Sequence, residues 1–195
     1  MKKKLLTIIF VLNLIISNTF AVEPDVFVQS TVNRASKLLS ENISKEKKIE
    51  ELKLIAKDTV DIKGIGFYTL GTVRKNLSDT DKTKYSELFE EYFLKSFSSR
   101  LAEYTNPEID VFAKEKINKN YTIVNSTLKA TNERPEIKID WRIYTKNPNK
   151  PLIRDLIIEG LSLARTQKEE FASVLNSNNG DINALFKTLK EFSNQ

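Results

Sequence analysis

Apolar residues recur every three or four positions in the first half of this chain and every second position in most of the second half. From Pro24 to Ser40, Val28, Val32, Ala35 and Leu39 fall on one stripe behind a proline suited to a first turn, which predicts a helix. Lys45 to Lys57 sets Ile49, Leu52, Ile55 and Ala56 against a charged side and predicts a second, amphipathic helix. Asp61 to Arg74 is apolar nearly all round, with Ile62, Ile65, Thr69 and Val73 on one side and Phe67 and Leu70 on the other. It predicts a buried helix, weakened by Gly64, Gly66 and Gly71. Ser78 is suited to cap the longest helix, and Asp79 and Asp81 suit its positive end. Tyr85, Leu88, Phe89, Tyr92, Phe93, Phe97, Leu101 and Tyr104 then form a bulky stripe.

After Pro107 the period drops to two. Ile109, Val111 and Ala113 alternate with their neighbours, Tyr121, Ile123 and Asn125 alternate with Thr122, Val124 and Ser126, and Ile137, Ile139, Trp141 and Ile143 alternate with Lys138, Asp140 and Arg142. Leu152 to Ile158 is a fourth strand. The connections Lys114 to Asn120, Ala130 to Arg134 and Lys146 to Lys150 are short and polar, which suits antiparallel neighbours. The expected fold is α+β, with an antiparallel sheet of about four strands covered on one side by helices and wet on the other.

The fourth strand runs through Asp155 and Glu159-Gly160 into Leu161 and Leu163 without losing apolar character. Thr166 with Glu169 reads as a capping box, so the next helix is expected near Gln167, with Phe171, Val174 and Leu175 on its buried side. That leaves Gly160 to Arg165 as an apolar loop. Loops ordinarily run over the surface and are polar, so Leu161 and Leu163 need a core or an apolar ligand beside them. Asn178-Asn179-Gly180 stops that helix, and Asp181 caps a last one carrying Ile182, Leu185, Phe186 and Leu189.

The amino terminus changes the picture of where the chain works. Lys2, Lys3 and Lys4, the apolar run Leu5 to Ile16 and Thr19-Phe20-Ala21 have the layout of a cleavable export signal over residues 1–21, followed by one domain over 22–195. The formal charge of +5 includes those three lysines, so the remainder carries about +2, with basic and acidic residues interspersed. Such a balance is not a nucleic-acid signature.

Composition also narrows the chemistry. The chain has no His and no Cys, which excludes Ser-His and Cys-His nucleophiles, His-ligated metal hydrolysis and thiol redox. Catalysis would have to use carboxylate, lysine or tyrosine. Asp155 and Glu159, four apart on a regular strand, would stand roughly 13 Å apart by strand rise, too far to share a proton. Glu159, Gly160 and Ser162 therefore read as shaping a turn, with Asp155 structural. Gly64-Ile65-Gly66 lacks the strand-turn-helix context of a phosphate loop and reads as close helix packing. No metal site or catalytic residue is expected.

Ile153-Arg-Asp-Leu-Ile-Ile-Glu-Gly-Leu-Ser-Leu163, followed by Thr166-Gln-Lys-Glu-Glu-Phe171, resembles the D-x-x-x-E-G-v-S segment of the MlaC, or toluene-tolerance, family of periplasmic phospholipid carriers. Tyr68-Thr-Leu-Gly-Thr-Val-Arg74 and the Tyr85 to Tyr104 stripe are similar to the family's corresponding helices. Where the family has a Trp just before the strand Asp, this chain has Lys150-Pro151-Leu152. The resemblance implies a curved sheet of the nuclear-transport-factor-like type and helices enclosing an apolar cavity for acyl chains. It implies no cofactor beyond a phospholipid ligand. It also implies a periplasmic shuttle between an outer-membrane Mla lipoprotein complex and an inner-membrane Mla ABC transporter, serving outer-membrane lipid asymmetry.

On that reading the tail contacts are Phe67, Leu70, Phe89, Phe93, Phe97, Ile139, Trp141, Ile143, Ile157, Leu161 and Leu163. Two other classes stay open at this point. One is a small-molecule isomerase or dehydratase on a related cone-shaped fold; the other is an adaptor whose aromatic helix fills an ordinary core, with no cavity.

Overall fold

A computed structural model describes residues 21–132 and 134–195. The export signal read over residues 1–21 lies, apart from Ala21, outside the described residues. Pro24 opens helix α1 (Pro24–Ser40) at its first turn, and the Ser44 hydroxyl caps α2 (Lys45–Thr59) by accepting from the Lys47 amide. The Asp61 carboxylate caps α3 (Ile62–Thr69) through the Gly64 amide at 2.9 Å. The expected helix to Arg74 stops early. Gly71 takes the left-handed conformation at φ 58°, its amide turns back to the Tyr68 carbonyl, and only a short 3-10 turn (Val73–Lys75) follows. Ser78 caps α4 (Asp79–Leu101) by accepting from the Asp81 amide; Tyr104 lies beyond its end.

Five antiparallel strands follow in sequence order: β1 (Ile109–Asn118), β2 (Tyr121–Leu128), β3 (Ile137–Tyr144), β4 (Leu152–Ile158) and β5 (Leu161–Ser162). The expected connection from Lys114 to Asn120 is mostly strand. β1 pairs with β2 as far as Asn118, and Lys119-Asn120 alone make the turn, with the Asn118 side chain accepting from the Asn120 amide. This end of β1 is exposed on both faces, so it carries no apolar alternation to reveal it.

β4 holds an irregularity with consequences for the site. Arg142 pairs with Asp155 but Ile143 pairs with Ile153, so Arg154 is an extra residue. Beyond the bulge Leu156 lies opposite Trp141 and Ile157 opposite Asp140. The displaced Arg154 guanidinium stacks 4.1 Å from the Tyr144 ring, donates to the Tyr121 hydroxyl and pairs with Asp61, tying the start of α3 to the sheet.

One face of the sheet is buried: Val124, Ser126 and Leu128 on β2, Ile139, Trp141 and Ile143 on β3, Ile153 on β4. Helix α1 covers β1 and β2, while α3 and α5 (Leu163–Ser177) cover β4. Helix α4 differs, because its main-chain neighbours are α2, α3 and α6 (Ile182–Asn194) rather than the strands. The close helix packing read from the glycines is present at Gly66, where a Cβ would fall 2.7 Å from Phe89 Cδ1. Among the described residues no helix is long and apolar enough to cross a membrane.

Candidate functional site: an apolar cavity under helix α4

Because α4 stands off the strands, long side chains must span the gap, and they do not fill it. A cavity of about 380 Å³ lies between α4, the β3–β4 face and the start of α5, within the range of roughly 300–1,000 Å³ typical of small-molecule pockets. Phe89, Phe93 and Phe97, one helical turn apart, form one wall. Their rings are stacked with centroids 6.1 and 5.4 Å apart, and Phe171 meets Phe89 edge-on from α5 at 6.2 Å. Trp141, Ile153 and Leu156 line the sheet side, and Val60, Ile65, Leu163 and Ala164 close the ends.

The Trp141 ring is aimed by hydrogen bonding. Its Nε1 donates to Ser126 Oγ at 2.8 Å, and that hydroxyl donates to the Ile139 carbonyl at 2.9 Å. Ser126 is 1% exposed, so this pair satisfies the buried polar atoms and leaves the indole face free to line the cavity.

Where the chain leaves the sheet, the structure corrects the sequence reading. The apolar loop expected from Gly160 to Arg165 does not exist. Glu159 and Gly160, both with positive φ (49° and 82°), make a two-residue hairpin turn into β5, and α5 begins at Leu163. Ser162 is the cap, accepting from the Arg165 amide at 3.1 Å. Thr166, expected to be the cap, sits inside the helix and donates to the Ser162 carbonyl. Asp155 decides between them: its buried carboxylate accepts from Ser162 Oγ at 2.6 Å and from the Ala164 amide at 3.0 Å. Glu159 accepts from the Lys138 amide on the neighbouring strand β3.

Phe89, Phe93, Phe97, Trp141 and Leu163 all line the cavity, as does Asp155. The other expected tail contacts lie elsewhere. Leu70, Ile139 and Ile143 are buried in the core without reaching the cavity wall, and Phe67 is half-buried with the Lys63 ammonium 5.9 Å from its ring centroid. Ile157 faces away because of the bulge, and Leu161, on a strand of two residues, is 52% exposed.

Sequence reasoning missed Leu156, which the bulge turns inward. It also missed the polar residues of the lining: Ser96 and Arg100 on α4, and Thr166, Gln167 and Glu170 on α5. Tyr92, Ser96 and Arg100 are spaced four apart, a helical stripe beside the phenylalanines that could have been read. Arg100, Leu163 and Glu170 are the exposed members, so the cavity opens there. Tyr92 donates to Gln167 Oε1 at 2.7 Å and joins α4 to α5; burial, then the Glu170 charge, pushes its phenol up.

The chemistry on offer is sequestration. The buried carboxylate at Asp155 already accepts two hydrogen bonds, and among the described residues no group of three side chains is arranged to hold a metal ion.

A family model described as MlaC protein matches residues 29–191. The structure is similar to that of a phospholipid-binding protein from Ralstonia solanacearum solved in complex with a phospholipid. The TM-score is 0.74 at 19% sequence identity, over 89% of this chain and 98% of that one. At that identity the likeness is one of fold. Comparison with curated proteins gives no match.

Proposed function

The chain belongs to the MlaC family, and from that premise we propose that it carries phospholipid, without catalysing a reaction, with acyl chain held in the cavity under α4. The observation that carries the reading is the cavity itself, an apolar space of about 380 Å³ walled by Phe89, Phe93 and Phe97 against Trp141. Each methylene brought out of water contributes about 0.8 kcal/mol. Two chains of roughly 30 methylenes in all would cost on the order of 20 kcal/mol to cross water unaided. A protein sheath removes most of that barrier.

MlaC-family proteins are periplasmic. For this chain the reading includes export through cleavage near Ala21, a single carrier domain over 22–195, and exchange of cargo with an outer-membrane lipoprotein complex and an inner-membrane ABC transporter. Support for export comes from the lysine-led apolar leader, and for exchange from the family alone.

Mass spectrometry of an organic extract of the purified protein tests the proposal. Phospholipid near one molecule per chain is the expected result, and a protein purified without lipid that takes none from vesicles would reject it.

A further inference from the structure

The mouth of the cavity carries one cation and one anion that do not pair with each other. Arg100 is exposed at the end of α4 and, among the described residues, its guanidinium makes no ion pair or hydrogen bond. Glu170, across the opening on α5, makes no ion pair either, yet its carboxylate is held in place. Tyr92 donates to Gln167 Oε1 at 2.7 Å, and Gln167 Nε2 donates to Glu170 Oε2 at 2.9 Å. Both charges act on the same phenol, since Glu170 raises the Tyr92 pKa and Arg100 lowers it, after burial as the larger cause. Both line the exposed end of the same cavity, so they flank one opening.

A phospholipid whose tail fills the cavity leaves its headgroup at this opening. We propose that the mouth selects phospholipids bearing a primary ammonium beside the phosphate, with Arg100 taking the phosphate and Glu170 the ammonium. The proposal rests on the carrier reading. The guanidinium matches phosphate as a planar, permanently charged donor set, and an oriented carboxylate matches ammonium. An anionic headgroup with uncharged hydroxyls gains the first contact but meets an unanswered negative charge at Glu170. Because both groups are partly wet, discrimination is modest, about two- to five-fold, the range of an exposed ion pair.

The test loads the purified full-length mature protein from vesicles of equimolar phosphatidylethanolamine and phosphatidylglycerol at low salt and reads the bound headgroup ratio by mass spectrometry. The unchanged protein is expected to favour phosphatidylethanolamine. Glu170→Gln should lower the ratio about two- to five-fold, Glu170→Lys should turn it toward phosphatidylglycerol, and Arg100→Gln should weaken uptake of both. A ratio near one for the unchanged protein, or the same ratio in the Glu170 variants, overturns the proposal and leaves the carrier reading standing. Loss of all uptake in both Glu170 variants also overturns it, because these residues would then hold the pocket rather than sort its cargo. No uptake by the unchanged protein overturns the carrier reading, and the proposal with it.

Discussion

Asp155 accepts a hydrogen bond from the Ser162 hydroxyl at 2.6 Å, and that contact fixes where α5 begins. The same carboxylate takes the Ala164 amide, so one buried side chain on β4 satisfies both the cap and a free donor of the helix it caps. Arg142 approaches to 3.5 Å but is 44% exposed and adds little.

Replacing Asp155 with Ala removes both bonds from a buried setting and should cost about 2 to 4 kcal/mol. For a chain of this size the melting temperature should fall on the order of 5 to 10 °C. Asp155→Asn keeps a carbonyl oxygen for one donor and should lose less. Thermal unfolding followed by circular dichroism reads both; an Ala variant melting within a degree of the parent would contradict the role.

A charge in the lining should empty the cavity. Phe93→Glu places a carboxylate in an apolar wall and should abolish lipid copurification, as should Trp141→Glu. Because Trp141 is only 8% exposed, its variant also risks the fold, and Leu163→Trp, at a lining position that is 42% exposed, is the cleaner partner. That ring would occupy cavity space at a helical position, lowering bound lipid per chain without a lower melting temperature. Lipid retained at the parent level in all three would show that the chains lie elsewhere.

Tyr85, wholly buried, shares a 2.7 Å hydrogen bond with Thr69, whose hydroxyl donates to the Gly66 carbonyl. Tyr85 is thus the donor in that pair. Burial pushes its phenol above the ordinary value. A pKa raised on folding contributes stability below the unfolded value of about 10, lost as pH rises toward the folded value. Tyr85→Phe should cost about 1 kcal/mol at neutral pH. The gap between parent and variant should narrow above about pH 10. Urea midpoints of both proteins from pH 7 to 11 check this, and a gap constant over that range would fail it.

Tight burial of acyl chain creates a problem of release, since binding near the non-covalent ceiling of about 18 to 21 kcal/mol is effectively irreversible. Unloading should therefore require a partner that deforms the pocket. Transfer of labelled phospholipid should run at least about tenfold faster with the acceptor complex present than to protein-free vesicles, a difference of about 1.4 kcal/mol in the barrier. Equal rates would reject the idea.

The parts of this fold that were legible in the sequence are those where one face is dry and the other wet. Ile139, Trp141 and Ile143 announced β3 and its buried side, and Phe89, Phe93 and Phe97 announced an aromatic stripe, because periodicity records burial directly; whether that stripe packs a core or walls a cavity it does not record. The bulge at Arg154 was invisible, since Ile153, Asp155 and Ile157 keep a period of two on paper while the backbone turns Leu156 inward. Ser162 and Thr166 are both plausible caps by local pattern. The choice between them came from Asp155, which acts through the sheet rather than through neighbouring positions. The polar mouth escaped notice because Arg100 and Glu170 look like ordinary solvated charges until two helices bring them to one opening.

The exposed half of β1 has a bearing on how this molecule behaves in a crowd. A free strand edge invites another chain to add on, a hazard for a protein whose interior is built to receive hydrocarbon. Here the inviting edge carries Lys114, Glu115 and Lys116 and is interrupted at Phe112 by a register shift. At the opposite margin β5 is only two residues long before it becomes helix. Neither margin offers a smooth template on which another strand could grow, so the two edges of the sheet are guarded by geometry and charge rather than by a covering element.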